Sequence, residues 1–460
     1  MTKKSGTYSK LTAFLEQSVS IAPLVSFRIA FGLITLFSTV RYVAMGWVDT
    51  QLVEPVFHFS YFGFDWVEPL PRMGMYAVFF LMALSSVAIA LGWFYRIFAA
   101  VFFLGFTYVE LIDITYYLNH YYFVSIVSFL MVLAPANRYF SIDAHRKPEI
   151  RQARVERWSI LMLKVQIAIV YIFAGVAKIN HDWLFEALPL SIWLPAKTSI
   201  PVIGFIFEYE FTAYLFSWIG MLFDTLIILG LIYKPTRWLA YIAVVVFHTL
   251  TGILFQIGVF PIVMIFFFFF FFSDRLHEQI LEKISRLINV GKEQFGGSSV
   301  PKPGSLKRKL LFPFLILFFS FQLLFPWRYL LYPGNLFWTE EGYRFSWRVM
   351  LMEKAGTATF YVKDGENGRE GSVVNHQFLN PHQEKQMAMQ PDLILQYAHL
   401  LEEHFQEQGM EDPKVRAEVL VTLNARPAKL LIDPSVDLTE IEDGWARKDW
   451  IIPFKEKQVQ

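Results

Sequence analysis

Cysteine is absent from the 460-residue sequence, which excludes disulfides, thiolate nucleophiles, iron–sulfur clusters and cysteine-type zinc centres together. Charge is scarce as well. Asp, Glu, Lys and Arg make up 18% of the residues, against about 25% in a soluble globular chain. The charges nearly cancel, to a formal net of +1, so there is no basic field to hold a nucleic acid. GxGxxG, Walker A, GxSxG and HExxH are all missing, and with them the common signatures of dinucleotide, phosphate, acyl-transfer and zinc-peptidase chemistry. No internal repeat is visible. The polar start, Met1 to about Gln17, leads into an apolar stretch too long for a secretory h-region and without a small-x-small cleavage site, so that stretch reads as a retained transmembrane helix.

What is present is apolar: 55% of the residues are hydrophobic, and 48 are Phe. A spanning helix needs roughly 20 mostly apolar residues. On that basis nine spans are expected, near 20–43, 73–94, 96–115, 118–136, 157–178, 211–233, 236–254, 256–273 and 309–332. The run Phe266 to Phe272 reads as lipid-facing. The eighth segment is short and follows a tight loop, so eight spans with a re-entrant segment is the alternative. Loop charges give an independent test. Lys3, Lys4 and Lys10, the Arg138–Arg157 cluster, Lys234 with Arg237, and the Arg275–Lys309 cluster all fall on one side of a nine-span topology. The positive-inside bias then predicts a cytoplasmic N-terminus and an extracytoplasmic C-terminal domain.

The composition changes near Tyr332, which divides the chain into a membrane domain, 1–332, and a C-terminal domain, 333–460. In the latter, Thr357 to Val362 and Gly371 to Phe378 flank a turn at Asp364–Gly368 and read as paired strands. Asp392 to Glu407 has helical periodicity, and Val415 to Ile432 alternates as a strand does. The expected fold is an all-α polytopic bundle followed by a small α+β domain.

Charges within lipid cost at least about 2.5–3.5 kcal/mol each on insertion scales. Arg28, Glu110, Asp113, His120, Lys178, Asp224 and His248 nevertheless fall in or at the ends of six spans, a pattern that fits a polar interior pocket. Arg28 reads first as the partner of an acid such as Asp224 or Glu110. Lys178 alone reads as an interfacial lysine extending to the membrane surface, but it and His120 fall at the same, outer end of their helices. A metal site from His120, Glu110 and Asp113 has no supporting ligand spacing. On these residues an enzyme, a transporter and a receptor all remain open.

The string Gln166-Ile167-Ala168-Ile169-Val170-Tyr171-Ile172-Phe173-Ala174-Gly175-Val176-Ala177-Lys178, followed by Asp182-Trp183, resembles the core motif of the vitamin K-dependent γ-glutamyl carboxylases. Further stretches agree in order: Ser26 to Gly32, Asn119-His120, Ala136 to Asp143, Phe247-His248 and Leu254 to Gly258. In the C-terminal domain Trp338-Thr339, Gly342 to Trp347 and Ile432-Asp433-Pro434 are similar to the region of that family implicated in handling the glutamate substrate. The resemblance spans nearly the whole chain.

It implies a membrane enzyme that couples oxygenation of vitamin K hydroquinone, or menaquinol in a microbial member, to carboxylation of a glutamate-containing protein or peptide, with O2 and CO2 as co-substrates and no metal. Lys178 matches the family's catalytic base and His120 its assisting histidine. Arg28, Asn119, Asp224, His248, Gln256, Trp338, Tyr343 and Trp347 are the residues expected around substrate and cofactor. Two departures stand out: Ala177 occupies a position where animal members often carry a second lysine, and the cross-linking cysteines are absent. Quinol epoxidation without carboxylation and a transporter or membrane scaffold are the rival readings.

Overall fold

In the computed structural model, which describes residues 6–255, 257–287 and 305–454, the apolar stretches become helices. After α1 (Gly6–Leu15) come α2 (Ala22–Ala44), α3 (Arg72–Leu91), α4 (Tyr95–Ile112), α5 (Asn119–Leu133), α6 (Trp158–Ala177), α7 (Glu210–Ile232), α8 (Arg237–Leu254), α9 (Phe260–Phe269), α10 (Asp274–Leu287) and α11 (Ser305–Leu324), the last extended by a 3-10 turn, Phe325–Leu331. Among the described residues seven helices are long and apolar enough to cross a bilayer: α2, α3, α4, α6, α7, α8 and the segment Lys309–Leu331. At 1.5 Å per residue these measure roughly 27–35 Å, close to the hydrocarbon thickness. With the shorter α5 and α9 they account for all nine expected apolar segments.

The fourth and eighth segments are shorter than expected. α9 has 10 residues, about 15 Å, and the chain then bends by 111° into α10. Composition explains the bend. From Asp274 the sequence alternates charge with Leu276, Ile280, Leu281 and Ile284, which suits a helix lying on a surface rather than one continuing through lipid. Leu281 is buried, and Ser20 Oγ donates to Glu278 Oε1 at 2.8 Å, fastening α10 beside the start of α2. The phenylalanine run corrects its expectation. Phe267, Phe268, Phe270, Phe271 and Phe272 are buried in the bundle core and only Phe266 is exposed. Phe27 packs on Phe267 and Phe270, and Tyr171 on Phe268.

The bundle has two distinct ends. At one, β1 (Ser18–Ser20) pairs antiparallel with β2 (Arg154–Glu156), and Asp143 accepts from the backbone N–H groups of Phe94 and Tyr95. At the other end, the loops after α2, α4 and α6 carry the C-terminal domain. There an antiparallel sheet runs in the order β4 (Glu370–Ser372), β3 (Lys354–Lys363), β5 (Lys414–Leu423), β6 (Lys429–Leu430). Alternation puts Val415, Ala417, Val419 and Val421 on the buried face, where they meet Leu393, Ile394, Tyr397 and Leu401 of the helix α13 (Pro391–Glu407). The shorter α12 (Pro381–Met387) begins with an Asn380–Gln383 capping box. The strand expected over Gly371 to Phe378 is shorter than that: it pairs through Ser372 and then turns at Asn375–Gln377. Phe59, Tyr61 and Ile114 of the membrane domain share one apolar cluster with this sheet and helix.

Candidate functional site

Lys178 follows the last residue of α6, where an ammonium complements the negative end of the helix. The chain then turns, and Asn180 caps the short helix His181–Phe185 by accepting from Trp183 N–H. That turn places the Trp183 ring 5.3 Å from Lys178 Nζ. Trp183 is itself held by donating from Nε1 to the Ser217 carbonyl of α7. Across the helix interface Lys178 Nζ donates to Asp224 Oδ2 at 2.7 Å, with both side chains almost wholly buried. Gly175 permits this approach. A Cβ there would lie 2.7 Å from the backbone nitrogen of Thr225, a contact no rotamer relieves.

Two turns earlier on α6, the Tyr171 hydroxyl lies 2.6 Å from His248 Nε2 of α8. His248 is buried, and its Nδ1 has no partner among the described residues. Its ring sits among Phe223, Phe247, Phe260 and Phe268. Phe260 continues the line to His120, whose ring centroid is 5.0 Å away. The structure thus brings Lys178 to Asp224 and, through Tyr171, His248 and Phe260, sets out an aromatic row that ends at His120. Lys178 and His120 lie at the same end of the bundle without touching.

Other expected residues lie elsewhere. Arg28 pairs with no acid among the described residues. Its guanidinium donates to the carbonyls of Ala136, Tyr139 and Phe140 at the opposite end of the bundle. Asn119 Nδ2 donates to the Arg348 carbonyl at 2.7 Å and its Oδ1 accepts from Tyr117, so it ties α5 to the C-terminal domain. Trp338 is buried in the C-terminal core with Nε1 donating to the Ile452 carbonyl, whereas Trp347 is buried in the membrane core, stacked on Tyr122. Between these anchors Glu340, Phe345 and Trp347 adopt positive φ, which bulky side chains rarely do. Tyr343 lines a cavity described next. Gln256 lies outside the described residues.

Two cavities lie between the membrane and C-terminal domains. One, of about 530 Å³, is bounded by the ends of α2 and α4, by Glu340–Arg344, by Met352–Lys354 and by α12. The other, of about 680 Å³, is largely apolar and is lined by Phe103, Phe129, Phe318 and Phe321 below and by Asp392 and Lys448 above. Both are lined by Glu110, and neither by Lys178 or His120. The first adjoins the Lys178 region nonetheless. Leu351 shares an apolar cluster with Ala177 and Trp183, and the next three residues line the cavity.

Sequence reading missed three contributors. Tyr171 carried a signal, being a phenol two turns before Lys178 on the same face. Trp183 was read only as part of a motif. Asp182 accepts both Arg426 guanidinium N–H groups at 2.8 Å and Asn424 Nδ2 at 2.7 Å, partners more than 240 residues away that no local pattern shows. Burial alone would raise the Asp182 carboxyl pKa, but the Arg426 and Asn424 hydrogen bonds outweigh it and hold the group below its usual range.

Helices long and apolar enough to cross a membrane, with a sheet-containing domain seated over a buried lysine–aspartate pair, define an integral membrane protein with a folded domain at one end of its helices. The HTTM domain family matches residues 16–275, and the lumenal domain of the vitamin K-dependent gamma-carboxylases matches residues 307–457. The chain belongs to the vitamin K-dependent gamma-carboxylase family, and its C-terminal domain is the lumenal one. No solved structure matches it.

Proposed function

We propose that this protein carboxylates peptidyl glutamate to γ-carboxyglutamate, coupled to conversion of vitamin K hydroquinone or menaquinol to its epoxide, with its N-terminus cytoplasmic and its C-terminal domain outside. The observation that carries this reading is the buried Lys178–Asp224 pair, its lysine in the string that resembles the family's core motif, beneath the lumenal domain.

The residues suit such a cofactor. His248 offers a buried, unpartnered ring nitrogen amid aromatic faces, and His120, His248 and Phe260 are the groups that would hold a flat quinol head. When bound, the hydroquinone reacts with oxygen and supplies the strong base that the γ-proton of glutamate requires. Lys178 Nζ becomes a neutral amine when its proton passes to Asp224 Oδ2, 2.7 Å away, leaving a base shielded from water. Tyr171 fixes the His248 ring through Nε2 and leaves Nδ1 buried without a partner among the described residues. Loss of the γ-proton leaves an electron pair on Cγ, which forms the new C–C bond to CO2.

The test is incorporation of labelled bicarbonate into a glutamate peptide by the purified protein. Incorporation that requires both the reduced quinone and oxygen supports the reading. A protein that binds the peptide yet fixes no label with either quinol overturns it.

A further inference from the structure

Glu110, in the last turn of α4, is not used by this mechanism. Its carboxylate has no hydrogen-bond or ion-pair partner among the described residues, although it stands in a spanning helix and lines both interdomain cavities. Its side chain is only partly buried and faces the two cavities, so a partner from outside the fold can reach it.

The smaller cavity shows what kind. Six aromatic side chains line it: Tyr42, Trp47, Tyr116, Tyr117, Tyr121 and Tyr343. Aromatic faces around a carboxylate form a site for an ammonium or guanidinium group. Of the cations nearby, Lys354 and Arg344 are committed to acids of the fold, while Arg41 and Lys385 sit at the cavity itself. Lys354 Nζ donates to Glu340 Oε1 and to the Trp338 carbonyl, both under 3 Å. Arg344 is bound to Asp392 and Gln390, and Arg41 stacks on Trp47 at 4.6 Å. Lys385 stands exposed on α12. Of the other acids, Asp113 is engaged by Thr115 and Gln383, and Glu353 accepts from Trp193 Nε1.

We infer that Glu110 anchors a basic side chain, lysine or arginine, of the peptide substrate beside the glutamate to be modified; this rests on the carboxylase reading. A peptide is favoured over a lipid amine because the cavity walls above Glu110 belong to the C-terminal domain. Only the short stretch Met352–Lys354 separates that space from the cluster around Ala177 and Trp183.

The experiment measures equilibrium binding to the full-length protein in detergent, without quinol, by fluorescence anisotropy. Its probes are two labelled decapeptides with one glutamate and, two residues away, either lysine or norleucine. The lysine peptide is expected to bind about tenfold more tightly. E110Q should bring the two affinities together, and E110D, which keeps the charge, should retain a preference. Equal affinities in the natural protein, or a preference that survives E110Q, overturn the inference. So does Glu110-dependent competition by phosphatidylethanolamine in nanodiscs, which would assign the site to a lipid amine. Label fixation is measured on the same preparations: fixation without the lysine preference sinks only this inference, and the preference without fixation sinks only the carboxylase reading.

Discussion

Lys178 and Asp224 approach to 2.7 Å from two different helices, each more than nine-tenths buried, directly beneath the lumenal domain. A buried ion pair is weak evidence for stability, because desolvation offsets most of the attraction, whereas removing one partner leaves an isolated charge.

That asymmetry gives the first prediction. Asp224→Asn should destabilise the detergent-solubilised protein by about 3 kcal/mol and remove activity, since Lys178 loses the acceptor for its proton. The double change Lys178→Met with Asp224→Leu should restore the melting temperature to near its starting value while activity stays absent. Thermal unfolding and label fixation, measured side by side, check both halves.

Tyr171→Phe leaves both ring nitrogens of His248 without a partner among the described residues. The cost expected for a buried group deprived of its hydrogen bond is about 1–3 kcal/mol. On the proposed role of His248 in holding the quinol, turnover should fall more than peptide affinity does.

Gly175→Ala puts a methyl group 2.7 Å from a backbone nitrogen of α7. The helices must separate, at about 1–3 kcal/mol, and the Lys178–Asp224 bond should lengthen. Removing the Thr225 hydroxyl, the nearest group to the same methyl, by Thr225→Ala should not rescue the variant, since the Thr225 backbone nitrogen and Cα remain within 3 Å. A folded but inactive protein is the expected result, read by gel filtration and assay together.

The Asp182–Arg426 contact sets a pH dependence. Burial raises the Asp182 pKa, but the hydrogen bonds from Arg426 and Asn424 lower it further, so the folded value lies below the unfolded one of about 4. A depressed carboxyl pKa contributes stability that is fully present above about pH 4 and is lost as pH falls through the folded value. Hydrogen exchange around Asn424–Arg426 should thus be unchanged between pH 5 and 8 once corrected for intrinsic rates. Asp182→Asn should raise it across that whole range.

The sequence made the helices legible because lipid demands long apolar runs, and it made Lys178, Asp224, His248 and His120 conspicuous because charge in such runs is costly. It did not reveal their partners. Arg28 reads as the partner of an acid such as Asp224 or Glu110, yet the pairing of Asp224 depends on how α6 and α7 are rotated about the Gly175–Thr225 contact, which no single-helix pattern encodes. Arg28 instead serves three carbonyls of a turn more than 100 residues away. The phenylalanine run read as lipid-facing because composition cannot tell an apolar core from an apolar solvent. Trp338 and Trp347 were expected to present substrate. They are buried in two different cores, and the stretch between them, with Tyr343, faces the cavities.

The most direct measurement follows epoxide and fixed label in parallel, in the natural protein and in Lys178→Ala, with reduced vitamin K, oxygen, labelled bicarbonate and a glutamate peptide. The account predicts both products from the natural protein and the loss of both in the variant. Epoxide and label formed at the natural rate by Lys178→Ala would contradict it.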